Sequence, residues 1–403
     1  MMKKILILGG GKNQLPLLEA AKEEGYFIIL CDYDPNALGR KLCDKFYEVS
    51  IIDENKILKI ASDENINGIV ANTEAVMTIV ASISEKLDLV GNSECSISTL
   101  ASKSKFREFQ SNIGLYAPKH YESDVFYRVI DELEKFKFPI IIKPSQSSGS
   151  RGVTVIDSRE NEDSIRQAFE TCKKYSRNNC VVFEEYVDMK TMDEVEAEIF
   201  IHNGEILWDG LLLTLRNEKK PLIPMTDIYP LPYSENRINI IKHDLQRIVD
   251  ELGIRHGEYN AELYFTPDDQ LFVMEINARQ GGDSIPAYVH KSCGVDMYKL
   301  MVTTAVGEEY YWDYLKTYVR QISYITHHPL FSYEEGQYRG LLIDKNIEKY
   351  ITKIEMKIQL NDNVYEAKDA SDEIGYVDLM FPNSIIQEEV SMHLDDYIKV
   401  ETI

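Results

Sequence analysis

Two short segments around residue 270 constrain the fold more than any other part of the chain. NAELYF at 260–265 alternates so that Asn260 and Glu262 share one face of a strand, and LFVMEIN at 271–277 gives Glu275 and Asn277 a common face in the same way. The residues TPDDQ between them favour a tight turn centred on the two aspartates. The pattern predicts a β-hairpin that sets Glu262 across from Glu275 and Asn260 across from Asn277.

The two glutamates of this hairpin need a shared proton or a cation between them. Cross-strand partners on one face have Cβ atoms about 5 Å apart. Two ionised carboxylates at about 4 Å repel by about 4 kcal/mol at an effective dielectric of about 20. Two carboxylates and an amide are oxygen ligands that suit a hard ion such as Mg²⁺. The alternative is an exposed hairpin with solvated glutamates, and other parts of the chain must decide between the two.

A second pattern, at 138–156, predicts a strand, a loop of small residues and another strand. FPIIIK ends in Lys143, Pro144 stops the strand, and the loop PSQSSGSRG leads into VTVI. Serines and glycines leave many backbone N–H groups free to cover phosphates. The lysine precedes the glycines, which distinguishes this loop from the phosphate loop that opens a helix. A flexible hairpin with a solvated lysine is the alternative.

A third pattern is the apolar strand CVVFEEYV at 180–187, which turns acidic at Glu184 and Glu185. Its end suits a hinge whose backbone groups bind an adenine edge. In isolation, the end of a surface strand is the favoured explanation.

The order of these parts along the chain resembles the ATP-grasp superfamily. A lysine, a glycine-rich hairpin, an acidic hinge strand and a Glu…Glu-x-Asn-x-Arg hairpin follow one another, after a βαβ alternation that starts at KKILILGGG and runs to about Pro118. An amphipathic helix near 237–252 precedes ELGIRHGEYNAEL. The resemblance implies an α/β (α+β) fold with a Rossmann-like domain before the ATP-grasp domain, a two-part ATP-grasp domain and a small C-terminal β-rich domain. The expected ranges are 1–118, 119–322 and 323–403.

The resemblance also implies an ATP site. Lys143 resembles the lysine that contacts the α- and β-phosphates, and Lys103, in ASKSKFREFQSNIG, resembles the first ATP-binding lysine, with Lys105 as the competing candidate. The loop from Ser145 to Gly152 resembles the flap above the phosphates. The other nucleotide-binding residues that the resemblance implies are Ser147, Ser148, Gly149 and Gly152 in the flap, Glu184, Glu185 and Val187 at the adenine, and Glu194, with Glu196 as the alternative, at the ribose.

By the same resemblance, Glu262, Glu275 and Asn277 hold Mg²⁺, with Mn²⁺ as an alternative. Arg279 is the expected catalytic residue, because an arginine can stabilise the charge on a transferring phosphoryl group. The phrase EINARQGGDSIP is most similar to the L-amino-acid ligases, and it places Arg279, Gly281, Gly282 and Asp283 at the substrate. The segments YRGLLI, YITKIEMKIQL and GYVDLMF resemble the β-domain that ends those ligases.

The function implied is an ADP-forming ligase that phosphorylates a carboxylate and joins it to an amine, with amino acids as expected substrates. The alternatives are a purine-type enzyme that uses formate or bicarbonate, a ligase that uses a thiol or another nucleophile, and a nucleotide-binding regulator without turnover. The resemblance is compatible with a homodimer.

The N-terminal sequence ILILGGG, followed by a strand that ends in Asp32, has a dinucleotide-binding alternative. The glycine fingerprint of that fold requires glycine at position 14, where this chain has Gln14. Asp32 is therefore expected to cap a helix or a turn.

Composition sets the outer limits of function. A net charge of -23 argues against nucleic-acid binding, and no apolar run approaches the length of a membrane helix. MMKK leads directly into a buried strand, so we expect neither a signal peptide nor a membrane segment. The six cysteines have no paired spacing, which fits a cytoplasmic protein and argues against zinc. The histidines form no ligand pattern.

Overall fold

The computed structural model describes residues 2–146, 152–159, 161–189, 192–217, 220, 223–282 and 285–403. Ser147, Ser148, Gly149 and Asp283, which the sequence places at the active site, lie outside these residues. The N-terminal part is a parallel sheet of strand order β3-β2-β1-β4 with helices on both sides. Its elements are β1 (Lys4–Leu8), α1 (Leu15–Glu23), β2 (Phe27–Asp32), β3 (Lys45–Glu48), α2 (Glu54–Glu64), β4 (Gly68–Val70) and α3 (Met77–Lys86).

Asp32 ends β2 and caps turns, as predicted. Its Oδ2 accepts a hydrogen bond of 2.7 Å from the N–H of Gly10, and its Oδ1 accepts one of 2.8 Å from the N–H of Asp34. Both carboxylate oxygens are therefore engaged by backbone groups of the protein.

Two helices lead from this sheet into a four-stranded antiparallel sheet of order β5-β8-β6-β7. Strands β6 and β7 pair on either side of the small-residue loop, which confirms the predicted strand-loop-strand unit. The elements are α4 (Glu94–Leu100), α5 (Lys103–Asn112), β5 (His120–Ser123), α6 (Phe126–Glu132), β6 (Ile140–Pro144), β7 (Thr154–Ile156), α7 (Glu162–Tyr175) and β8 (Val181–Glu185).

The largest sheet has the order β13-β12-β9-β10-β11-β14-β18-β16. The predicted amphipathic helix forms as α8 and ends at Gly253, whose φ of 64° is the left-handed cap that favours glycine. The elements of this region are β9 (Glu194–His202), β10 (Glu205–Arg216), β11 (Pro224–Tyr229), α8 (Glu235–Leu252), β12 (His256–Phe265), β13 (Leu271–Asn277), α9 (Ile285–Cys293), α10 (Met297–Ala305), α11 (Tyr310–Thr317) and β14 (Tyr324–Leu330).

The C-terminal part contributes β16 and β18 to the same sheet and forms a smaller sheet of order β17-β15-β19. The three short alternating segments read from the sequence fall on β15, β16 and β18. The elements are β15 (Gly336–Ile343), α12 (Lys345–Glu348), β16 (Ile351–Met356), β17 (Asn363–Val364), β18 (Gly375–Phe381), α13 (Ser384–Ser391), α14 (Leu394–Tyr397) and β19 (Ile398–Thr402).

The central sheet has one apolar and one polar face. Val195, Ala197 and Ile199 of β9 pack into the core that α8 covers. The residues between them, Glu196 and Glu198, point to the opposite face because side chains alternate along a strand. The polar face therefore carries carboxylates from several neighbouring strands.

No helix within the described residues is long and apolar enough to cross a membrane.

Candidate active site

The carboxylate hairpin forms with the predicted pairing. Strands β12 and β13 are antiparallel, with Glu262 opposite Glu275 and Asn260 opposite Asn277. The Asn277 amide donates a hydrogen bond of 3.0 Å to Glu275 Oε1. The three predicted metal ligands therefore lie together on the polar face of the central sheet.

The turn of this hairpin differs from the prediction. A bulge at Met274 shifts the register, so that Leu263 pairs with Val273 and Phe265 with Leu271. The connection is still a tight turn, in which the N–H of Asp269 donates to the carbonyl of Thr266 and the N–H of Thr266 donates to the carbonyl of Gln270, each at 2.8 Å, but it is centred on Asp268 instead of on both aspartates. The bulge leaves the carbonyl of Met274 outside the ladder of β12 and β13.

The pair has the electrostatics of a cation site. Burial, followed by the negative charge of Glu275, raises the pKa of Glu262 well above its usual value. Burial opposes ionisation of Glu275 as well, but the ammonium of Lys103 and the amide of Asn277 outweigh it and lower the pKa of Glu275. A divalent ion between the two carboxylates would take the place of the proton on Glu262.

The donor set fits Mg²⁺. Two carboxylates and one amide oxygen leave positions for water and phosphate oxygens, as magnesium sites in nucleotide enzymes usually do. Within the described part of the chain, no three His, Cys, Asp or Glu residues are grouped so that they could hold a metal by themselves.

Helix α5 brings Lys103 and Arg107 to this site. Lys103 is its first residue, and its Nζ lies 3.7 Å from Glu275 Oε2. A small cavity beside Lys103, Glu275 and Asn277 opens at this point. Lys103 is thus close to the carboxylate hairpin, and its contact with phosphates stays a prediction.

Lys143 and Glu184 form a buried ion pair on neighbouring strands. Lys143 Nζ donates to Glu184 Oε2 at 2.6 Å, and the two residues are 8% and 3% exposed. Burial lowers the pKa of Lys143 to about 8, the charge of Glu184 opposes this, and the charges of Arg107 and Lys103 add to it. Lys143 is therefore a buried cation that loses its charge as pH rises through about 8.

Arg107 is a buried residue beside the site that the sequence reasoning missed. It is 1% exposed, its Nε lies 3.3 Å from Glu184 Oε1, and one of its terminal nitrogens donates to the carbonyl of Met274 at 2.7 Å. It stands one helical turn after Lys103, so the spacing in KSKFR was the available signal. Glu184 is thereby engaged by two cations, and its contact with adenine stays a prediction.

At the end of β8, the N–H and the carboxylate of Glu185 are already hydrogen-bonded within the protein. The N–H of Glu185 donates to the carbonyl of Lys119, and its carboxylate accepts from the N–H of Lys137 at 2.9 Å. Val187 follows the strand and is half-buried.

Gly152, at the end of the flap, has φ of 78°, and a Cβ there would lie 2.8 Å from the Tyr175 ring, so only glycine fits.

Glu194 and Glu196 occupy the same face of β9. Arg216 forms a two-pronged ion pair with Glu194, with 2.7 Å between Nη2 and Oε1. Glu196 accepts a hydrogen bond of 3.0 Å from Asn260, and burial with the charge of Asp227 raises its pKa to about 8. Which of the two contacts the ribose stays a prediction.

The predicted substrate loop follows β13 directly. Arg279 donates to the carbonyl of Gln280 at 2.7 Å, and its positive charge acts on both Glu275 and Glu198. Gly281 is buried against Glu198, whereas Gly282 is exposed. Glu198 was not singled out in the sequence, although its place in the alternation of Glu194 and Glu196 put it on the polar face.

Two family models match parts of this chain. Residues 136–287 match the ATP-grasp domain family, and residues 5–93 match the PylC-like N-terminal domain family. The chain therefore contains an ATP-grasp domain, and enzymes with this domain use ATP and Mg²⁺.

Curated relatives match this chain at low sequence identity. The chain is 25% identical over 338 residues to the carbamoyl phosphate synthase large chain of Pseudothermotoga lettingae, covering 77% of this chain but 29% of that one. It is 23% identical over 274 residues to the formate-dependent phosphoribosylglycinamide formyltransferase of Prochlorococcus marinus, covering 67% and 68% of the two chains. The chain therefore spans less than a third of the carbamoyl phosphate synthase large chain.

Solved structures match over the whole chain. The L-amino acid ligase from Bacillus licheniformis has a TM-score of 0.77 at 18% identity and full coverage of both chains. Phosphoribosylglycinamide synthetase from Anaerococcus prevotii has a TM-score of 0.72 at 19% identity, again with full coverage. These likenesses confirm the predicted fold class.

Proposed function

We propose that the protein is an ADP-forming ligase that joins a carboxylate to an amine through an acyl phosphate, with amino acids as substrates. The observation that carries the proposal is the hairpin in which Glu262 and Glu275 face each other, with Asn277 and Arg279 immediately after them and Lys103 close by. This arrangement supplies oxygen ligands for a cation and positive charge for phosphate oxygens on one face of a rigid sheet.

The residues have separate tasks in this reaction. Lys103 and Lys143 bind the phosphates of ATP, and Glu262, Glu275 and Asn277 hold Mg²⁺, which neutralises phosphate oxygens when it is bound. A carboxylate oxygen of the substrate attacks the γ-phosphorus, ADP leaves, and Arg279 stabilises the charge on the transferring group. An amine then attacks the acyl carbon, loses a proton, and releases phosphate.

The buried ion pairs support positioning as the main source of catalysis. Lys143 is held by Glu184, and Glu184 by Arg107, so the phosphate-binding lysine does not have to be ordered when ATP arrives. Phosphoryl transfer depends largely on such fixed charges, because little covalent chemistry is left to the protein.

The test is a panel of amino-acid pairs, each assayed for ADP and phosphate with Mg²⁺ and ATP. We expect slow phosphate release without substrate and a rise of about tenfold or more with the right pair. An ¹⁸O label in the substrate carboxylate should appear in the phosphate. AMP with pyrophosphate, or unlabelled phosphate, would contradict the acyl-phosphate mechanism. Formate and bicarbonate belong in the panel, because one matched relative is formate-dependent.

A further inference from the structure

A buried pair of carboxyl groups lies beside the loop that carries Arg279, and the steps above do not use it. Glu198 on β9 is 0% exposed and Glu258 on β12 is 2% exposed. Strands β9 and β12 pair so that Asn260 lies opposite Glu198, which puts Glu258 diagonally across from Glu198 on the same face of the sheet, and a side-chain hydrogen bond joins the two carboxyl groups. Two ionised carboxylates at this range repel strongly in a buried place, so the pair holds a proton.

Glu198 is the member of the pair that ionises first: burial raises its pKa to about 7, and the hydrogen bonds that it accepts oppose this rise. Its Oε1 and Oε2 accept hydrogen bonds of 3.0 and 2.8 Å from the N–H of Gly281, and Oε2 accepts a further one of 3.2 Å from Asn260. Within the described residues, neither oxygen of Glu258 receives a hydrogen bond from a donor group. Glu258 therefore carries the proton and donates it to Glu198, because a protonated carboxyl is the one form of this side chain that can donate.

The substrate loop is built on Glu198. A Cβ at Gly281 would lie 2.7 Å from Glu198 Oε2 and 2.9 Å from Asn260 Nδ2, so the backbone approaches more closely than any larger residue allows. Arg279, two residues earlier, acts electrostatically on the same carboxylate. The position of the loop relative to the metal hairpin is therefore set by how Glu198 is held.

We propose that Glu198 and Glu258 share one proton and act as positioning residues, holding the loop from Arg279 to Gly282 in the conformation that binds substrate. The substrate-binding role of this loop rests on the proposed function, whereas its attachment to Glu198 does not.

The charge of the pair is set by its surroundings. Burial, followed by the charge of Glu198, raises the pKa of Glu258 well above its usual value. As pH rises, Glu258 loses its proton, and the second negative charge pushes Glu198 away from it. The loop should therefore loosen at high pH. The other charged or titratable groups that face the pair are Arg279 after β13, Asp296 and Tyr298 of the α10 region, and Tyr229 of β11.

Amide hydrogen exchange of the full chain without ligands tests the attachment directly. Glu198→Gln removes an acceptor from the Gly281 N–H, and Glu258→Leu removes the donor to Glu198. Both variants should speed exchange in peptides covering 278–282 by about tenfold or more. Glu258→Gln keeps an N–H donor, so its increase in loop exchange rate should be much smaller than that of Glu258→Leu. Glu205→Gln, an exposed glutamate at the start of β10, is the matched control and should not change the loop.

Exchange in β1 reports whether each variant is folded, since β1 lies in a different sheet. The wild-type chain supplies a second measurement that needs no disruptive variant. After correction for the intrinsic base catalysis of exchange, its loop should exchange faster as pH rises, and Glu258→Gln should lack this increase. Equal loop protection in wild type, Glu198→Gln and Glu258→Leu would overturn the proposal, and so would an unchanged rise in Glu258→Gln.

Kinetics separate positioning from general structural damage. With the amino-acid pair that gives the fastest phosphate release, Glu198→Gln should raise KM for the amino acids by about tenfold and leave the Kd for ADP within about twofold. If KM for the amino acids and the Kd for ADP rose by the same factor, Glu198 would have only a structural role. If no pair releases phosphate, the proposed function fails while the exchange results still decide the attachment of the loop.

Discussion

At the scale of single residues, Lys143 should make nucleotide affinity depend on pH. Burial lowers its pKa to about 8, so its ammonium is present at neutral pH and is lost as pH rises. Calorimetric titration with ADP should therefore show weaker binding as pH rises through about 8 in the wild type. Lys143→Met should bind about tenfold more weakly at neutral pH and show a flatter pH dependence.

The control for this prediction is Lys174→Met, because Lys174 is exposed on α7. It should retain the wild-type affinity and pH dependence. If Lys143→Met bound ADP as the wild type does, the loop after β6 would be a structural hairpin.

A second residue-scale prediction concerns Glu275. Glu275→Gln removes a ligand charge at nearly constant volume, so the fold should persist while substrate-dependent phosphate release falls by about a hundredfold or more. Steady-state assays over a range of Mg²⁺ concentrations measure this loss. Asp268→Asn, in the exposed loop of the same hairpin, is the control and should have normal activity. Activity in Glu275→Gln equal to that of the control would remove Glu275 from the metal site.

At the scale of elements, α5 connects the two sheets that carry the site. Arg107 binds Glu184 of β8 and the carbonyl of Met274 in β13, while Gln110 donates to the carbonyl of Val273 at 2.8 Å. The helix thus covers the free edge of β13, which would otherwise expose unpaired backbone groups. The bulge at Met274 is what offers a carbonyl to Arg107.

Arg107→Met should therefore destabilise the protein. The variant leaves Glu184 with Lys143 as its remaining cation and removes the donor to the buried carbonyl of Met274, and each buried polar group that loses its partner costs about 1–3 kcal/mol. Urea unfolding at neutral pH measures the loss, and Arg107→Lys should recover part of it. Lys59→Met, which breaks an exposed ion pair on α2, is the control and should leave the unfolding midpoint unchanged. An Arg107→Met midpoint equal to that of the control would contradict the role of Arg107.

What the sequence could predict at this scale depended on local periodicity. The pairing of Glu262 with Glu275 followed from the alternation in two strands, and α8 followed from its apolar stripe and terminal glycine. The bulge at Met274 could not be read, because the extra residue lies beyond the carboxylates and leaves their own alternation intact. The ion pair of Arg107 with Glu184 and the contact of Glu198 with Gly281 join residues far apart in sequence, where no local pattern records them.

At the scale of the whole molecule, the chain is less divisible than the predicted ranges 1–118, 119–322 and 323–403 suggest. Strand β14 pairs with β11 on one side and with β18 on the other, so the central sheet continues past residue 322 into the C-terminal part. Tyr288 of α9 also donates to Asp378 of β18 at 2.8 Å. The last predicted domain thus completes the sheet that holds the site.

A chain ending at residue 322 should therefore not fold as a stable monomer. It would expose the edge of β11 and remove the contacts of α9 with β14 and with Asp378, and an exposed edge strand pairs with other chains. We expect aggregation, or a thermal transition that is broad and lowered by about 10 °C or more. Size-exclusion chromatography and calorimetry of the truncated and full chains would measure both. A monomer that unfolds cooperatively at the temperature of the full chain would mean that the sheet does not need its C-terminal strands.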